Sequence, residues 1–129
     1  MVEKTQTKKT KTTVSTGKGR VYVSTTFNNT IVTITNEKGD TVAWGSSGAV
    51  GFKGTRKSTP YAATMAVEGA IKKARDTGLQ SVDVFIKGPG VGRDAALRAI
   101  RNSGLSISMI ADVTPIPHNG PRPKKKRRI

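Results

Sequence analysis

Along residues 21–27, "VYVSTTF", apolar and polar positions alternate at the start, with Val21 and Val23 on one side and Tyr22 on the other. A period of two marks a strand with one buried face. Asn28-Asn29 interrupts the pattern, and "TIVTIT" at 30–35 resumes it with β-branched residues. The two runs predict a hairpin closed by a tight type I′ turn, whose positive φ angles Asn tolerates. "NEKGD" at 36–40 is a second turn and "TVAWGSS" at 41–47 a third strand. Together they form an antiparallel meander.

A glycine-rich loop, "GSSGAVGFKGTRK", covers 45–57. Ser58-Thr59-Pro60 then starts a helix, with a hydroxyl cap and a proline in the first turn, where its missing N–H costs nothing. Ala63, Val67, Ala70, Ile71 and Ala74 recur at helical spacing, and Gly78 supplies the stop. "SVDVFIK" at 81–87 is a strand, and "GPGVGRD" leads into a short helix with Leu97 and Ile100 inward, ended by Gly104. "LSISMIADV" at 105–113 is the last strand. A strand that follows a helix runs parallel to its sheet neighbour through a right-handed crossover. With the fourth strand beside the first, the order βββ-α-β-α-β gives a five-stranded mixed sheet, order 3-2-1-4-5, with covering helices. That is a ribonuclease-H-like α/β fold.

Charge divides the chain further. Its 129 residues carry 23 Lys and Arg against 8 Asp and Glu, a net +15. Residues 1–20 and 121–129 hold six cations each and a single acid between them, so most of the charge lies outside the foldable middle. The expected organisation is a disordered basic arm over 1–19, an α/β domain over 20–117 and a basic tail over 118–129. An excess this large favours a polyanionic partner. Cysteine is absent and His118 is the one histidine, which leaves no disulfide, thiolate metal site or zinc cluster. No apolar run approaches the roughly 20 residues of a membrane span. A reducing, soluble compartment, the cytoplasm, is expected.

The fold raises an enzyme reading, because nucleases of this topology hold Mg²⁺ on carboxylates at strand ends. The first strand contains no Asp or Glu, and Glu37, Asp40, Asp76 and Asp94 fall in turns or at helix ends. Asp83 and Asp112 are the acids in strands, and neither has an evident carboxylate partner. No catalytic residue and no cofactor are assigned.

"GFKGTRKS" at 51–58 nearly spells a Walker loop, but Arg56 stands where the second glycine is required. Two readings stay open: a glycine loop that brings Lys53, Arg56 and Lys57 to phosphates, or a solvated loop. "KGPGVGRD" at 87–94 has evenly spaced Gly88, Gly90 and Gly92, the wrong spacing for a dinucleotide fingerprint. It reads as an anion site at a helix start between Lys87 and Arg93, or as a merely tight turn. Asn119-Gly120 is equally a plain turn or a site of succinimide formation. The aromatics are few and scattered. Trp44 and Phe85 read as core, Phe27 as either core or surface. Without paired aromatics on one sheet face, sequence-specific base stacking of the RRM kind has little support, and contacts to phosphate and sugar are expected.

Taken together, "FNNTIVTIT", "RKSTP", "IKGPGVGR" and above all "DVTPIPHNGPRPKKKRR" resemble small-subunit ribosomal protein eleven in its bacterial or organellar form, from about Val21 to Arg128. The resemblance implies a structural constituent of the small ribosomal subunit, bound to 16S rRNA on the platform, near the exit-site side of the messenger path and the Shine–Dalgarno helix. The seventh and eighteenth small-subunit proteins would be neighbours and mRNA would lie nearby, with no membrane and no small-molecule substrate. The family's RNA-binding positions map onto Asn28 and Asn29; onto Lys53, Arg56 and Lys57; and onto Lys87, Gly88, Gly90, Gly92 and Arg93. In the tail they map onto His118, Asn119, Arg122, Lys124, Lys125, Lys126, Arg127 and Arg128. Val91 stands where relatives often have Pro. The tail would be unfolded in isolation and ordered by threading between rRNA helices.

Overall fold

The computed structural model describes residues 17–126 and 128; the greater part of the N-terminal arm, with Arg127 and Ile129, lies outside them. Strands β1 (Lys18–Thr25), β2 (Thr30–Asn36) and β3 (Thr41–Ser46) form the meander. A 3₁₀ helix (Gly54–Ser58) precedes α1 (Pro60–Arg75), and β4 (Ser81–Lys87), α2 (Gly92–Asn102) and β5 (Ser106–Asp112) complete the domain. The sheet order is β3-β2-β1-β4-β5. β1 pairs antiparallel with β2 and parallel with β4, and β5 runs parallel to β4. The predicted topology is the observed one.

Both helices lie on one face of this sheet. Val21, Val23, Val32, Ile34, Val82, Val84 and Ile86 meet Val67, Ala70, Ile71, Ala96, Ala99 and Ile100 in a single core cluster. Ala62, Ala63, Ala66, Ala70 and Ala74 are buried along α1, and their small side chains let the helix settle close to the sheet. The approach is close at Gly45 of β3, where a Cβ would lie 2.9 Å from the Ala66 carbonyl oxygen. Thr59 caps α1 as the sequence predicts, its hydroxyl accepting from the Ala62 N–H at 3.3 Å.

Several local expectations are corrected. The β1–β2 connection is a four-residue loop, 26–29, and not a two-residue type I′ turn, because Thr26 supplies the turn's hydrogen bonds itself. Its hydroxyl accepts from the N–H groups of Asn28 and Asn29, and its own N–H donates to the Asn29 carbonyl. Positive φ is therefore unnecessary there; among the described non-glycine residues only Asn119 has it, at 58°. β1 begins at Lys18, ahead of the alternating run, since Gly19 fits where any Cβ would meet the Thr35 carbonyl oxygen at 2.5 Å.

Trp44 is not in the core. It is 57% exposed, on the face that the helices leave open, because its neighbours Ala43 and Gly45 are the ones facing α1. Phe85 is half-buried on that same open face and stacks on Tyr22, with ring centroids 5.2 Å apart and planes 16° from parallel. Paired aromatics on one sheet face are thus present. Among the described residues nothing covers that face.

Candidate nucleic-acid interface

The strand directions decide where the candidate residues go. β1, β3, β4 and β5 point the same way, so the segments after them all leave one end of the sheet. Those segments are the 26–29 loop, the 47–59 loop, the glycine turn and the tail. Hydrogen bonds tie them together. The Ser47 N–H donates to the Thr30 carbonyl, the Thr25 hydroxyl to the Gly88 carbonyl at 3.2 Å, and the Gly88 N–H to the Thr114 hydroxyl at 3.1 Å.

Each glycine of "KGPGVGRD" has a packing reason. A Cβ on Gly88 would overlap the Thr25 carbonyl oxygen, one on Gly90 would lie 2.8 Å from the Thr26 carbonyl oxygen, and one on Gly92 would lie 2.5 Å from the Thr30 hydroxyl. Gly88 and Gly90 also have φ of 95° and 127°, a region that L side chains avoid. The even spacing thus follows from the hairpin lying against the turn. Lys87, at the open end of β4, stays exposed.

Arg93 is engaged within the protein. Its Nη1 donates to the Gly88 carbonyl at 3.2 Å and its Nη2 to Asp112 Oδ2 at 2.8 Å. Asp112 Oδ1 accepts from the Thr114 hydroxyl at 2.6 Å and the Thr114 N–H at 3.0 Å. Since Gly88 in turn donates to Thr114, the four residues close a ring that fastens the tail root to the glycine turn. The Thr114 hydroxyl first, then Arg93 and the Thr114 N–H, hold the Asp112 carboxyl well below the usual carboxylate range. Asp83 lies on the open face, opposite Arg20 in register, whereas Asp112 turns to α2. The two strand carboxylates therefore stand on opposite faces of the sheet.

The 47–59 loop is more ordered than its glycines suggest. Phe52 packs edge-to-face on Tyr61 at 5.7 Å, and the 3₁₀ helix carries Arg56 and Lys57. Lys53 and Arg56 border a shallow hollow of about 340 Å³ with Val50, Gly51 and Phe52. Lys57 is half-buried, and a Cβ on Gly48 would lie 3.6 Å from its Cδ, so its stem crosses the loop while Lys53 and Arg56 stay exposed. At the hairpin tip Asn28 is exposed, and Asn29 Oδ1 accepts from the Thr30 N–H at 2.8 Å, which leaves the carboxamide NH₂ as a donor. From Pro115 to Lys126 the chain has no regular secondary structure and every residue is exposed, including His118, Asn119, Arg122, Lys124, Lys125 and Lys126. Arg128 is exposed too. The positive φ of Asn119 is that of a turn preceding Gly120.

Phe27, which the sequence leaves as either core or surface, is 75% exposed at the hairpin tip, and Trp44 and Phe85, expected in the core, belong to the open sheet face. Register was the missing information, because it alone places Tyr22 beside Phe85.

Similarity to known proteins accords with this arrangement. The sequence is 57% identical over 113 residues to the small ribosomal subunit protein uS11 of Borreliella burgdorferi (strain ZS7), covering 88% of this chain and 87% of that protein. Those of Borreliella afzelii (strain PKo) and Borrelia garinii subsp. bavariensis match to the same extent. The ribosomal protein S11 family matches residues 19–128, the hairpin, both loops and the tail included; the chain belongs to that family.

Proposed function

We propose that the chain is a structural constituent of the small ribosomal subunit, binding 16S rRNA on the platform near the exit-site side of the messenger path and the Shine–Dalgarno helix. The seventh and eighteenth small-subunit proteins are its neighbours in this reading. The observation that carries it is the convergence of the hairpin tip, the cationic loop, the glycine turn and the tail at one end of the sheet. Lys53, Arg56, Lys57 and Lys87 meet phosphates there, and Asn28 and Asn29 offer carboxamides to phosphate or sugar. Such contacts fix position without reading sequence.

The tail, from His118 through Arg128, threads between RNA helices and releases counterions as it neutralises phosphates. Prolines at 115, 117, 121 and 123 restrict the free chain, so less conformational freedom is lost on ordering. No catalytic step belongs to this function. Arg93 acts in it as a positioning residue, holding the tail root.

Sedimentation of the full chain with small subunits through a high-salt gradient tests the proposal. A built-in component remains with the particle, whereas a loosely held polycation is released. Release at moderate salt would overturn the reading in favour of a free nucleic-acid-binding protein.

A further inference from the structure

The open face of the sheet carries one row of side chains across all five strands. Trp44 of β3 is in register with Thr33 of β2, Thr33 with Tyr22 of β1, Tyr22 with Phe85 of β4, and Phe85 with Ala111 of β5. Tyr22 and Phe85 stack on each other, Tyr22 is 37% exposed and Trp44 57%. One step along the strands on the same face stand Ser24 and Lys87, in register with each other; one step the other way stand Arg20 and Asp83. Two residues of strand span about 6.6–6.8 Å, which places cations on both sides of the aromatic row at the scale of one nucleotide step. Lys18, Arg20 and Lys87 stand against Asp83 and Glu37, the latter lining the same hollow as Lys18, Arg20 and Asp83, so this part of the face is net positive by one charge, carried at the Lys87 end.

We propose that this face is a stacking platform for single-stranded RNA, with unpaired bases extending the Tyr22–Phe85 stack from its outer faces and lying on Trp44, and phosphates meeting Arg20 and Lys87. Two physical arguments favour this occupant. Aromatic rings accept any base on their π-faces, and flanking cations track the backbone; together these are what single-strand binding requires. Thr33 separates the rings of Trp44 and Tyr22, and Ser24 and Ser46 flank the exposed Ile31 in the next row, so hydroxyls break up the apolar positions of the face, Met109 included, and it is not the continuous apolar surface of an obligate protein interface. A duplex has no exposed base faces to offer. The surface adjoins the loop-and-tail end, which grips phosphates, and shares Lys87 with it; the proposal rests on the RNA-binding reading of the chain.

Trp44 is the sole tryptophan in the chain and therefore reports on its own site. Full-length protein is titrated with a short oligouridylate or oligoadenylate and, separately, with duplex RNA of equal charge. Trp44 fluorescence is followed together with the anisotropy of labelled RNA. Single strands should quench Trp44 at saturation and duplex should not. Tyr22→Leu and Phe85→Leu, both at partly exposed positions, should each weaken single-strand binding roughly tenfold and leave duplex binding unchanged; circular dichroism verifies their fold. Should either fail to fold, Trp44→Leu read by anisotropy makes the same comparison.

Removing Lys124–Arg128 should weaken both RNAs without abolishing the quenching. Equal quenching by duplex, or single-strand affinity indifferent to the ring substitutions, would overturn the platform while leaving the phosphate-binding end intact. So would Trp44 buried in a concentration-dependent dimer seen by ultracentrifugation. Absence of any RNA binding would instead overturn the broader function.

Discussion

Arg93 and Asp112 meet at 2.8 Å across the junction between α2 and the end of β5, and the same carboxylate receives the Thr114 hydroxyl and N–H. Both charged side chains remain partly exposed, at 34% and 54%. A pair so exposed contributes little to global stability. What it sets is direction: the chain leaves β5 pinned to the Gly88 turn.

The ring makes Asp112 an abnormal carboxylate. Its folded-state pKa is depressed by Thr114 and Arg93, so its contribution is fully present above the ordinary carboxylate value, near 3.9. That contribution is lost only as pH falls through the lower folded value. Carbon-detected NMR of the side-chain carboxyl should show Asp112 still ionised where exposed Asp residues have titrated. Thr114→Val and Arg93→Ala should each move its midpoint upward. An Asp112 midpoint near 3.9 in the parent protein would mean that the ring is open in solution.

The glycine turn separates two costs that usually come mixed. Gly88 has φ of 95° and no space for a Cβ, whereas Gly39 has the same φ with nothing within 4 Å. Gly39→Ala should therefore cost about 1 kcal/mol, the left-handed backbone penalty alone. Gly88→Ala should cost roughly 2–4 kcal/mol, because the Thr25 carbonyl must also move. Urea unfolding monitored by Trp44 fluorescence measures both. Equal costs would mean that the hairpin does not lie against the turn.

These glycines show what a sequence can and cannot disclose. Alternation and helical spacing sufficed for the elements and their buried face, marked by Val21, Val23, Val82, Val84 and Ile86, and the crossover rule with the fourth strand beside the first supplied the strand order. Trp44 was misleading for a reason of size. Hydrophobicity ranks it above Ala43 and Gly45, yet α1 presents a stripe of alanines and comes so close to β3 at Gly45 that small residues face it there. The alanine stripe was the available signal. Arg93 was legible as a cation beside the glycine turn, but not as a partner of Asp112, which lies 19 residues away and comes beside it only through the β4–β5 pairing.

Thr59 links the cationic loop to α1. Its hydroxyl donates to the Arg56 carbonyl at 2.8 Å and accepts from the Ala62 N–H. Thr59→Ala should cost about 1 kcal/mol and speed amide exchange across 54–59, while Thr59→Ser should restore both. A loss of stability without faster exchange in the loop would restrict the residue's role to capping.

The salt dependence of RNA affinity distinguishes cations that touch phosphate from cations that hold the protein together. Each neutralised phosphate contributes about 0.7–0.9 units of slope in a plot of log affinity against log salt. Lys124–Arg128 contains five cations, so deleting them should shallow the slope by roughly 3–4 units. Arg56→Ala should remove about one unit, as an exposed phosphate contact. Arg93→Ala should behave differently: its guanidinium is occupied by Asp112 and Gly88, so affinity should fall through a loosened tail root while the slope stays nearly unchanged. Measurements on small-subunit rRNA across a salt series test all three variants. A full unit lost with Arg93→Ala would show that the ion pair opens on binding and that Arg93 itself reaches a phosphate. An unchanged slope after the tail deletion would mean that the tail meets protein or solvent rather than RNA.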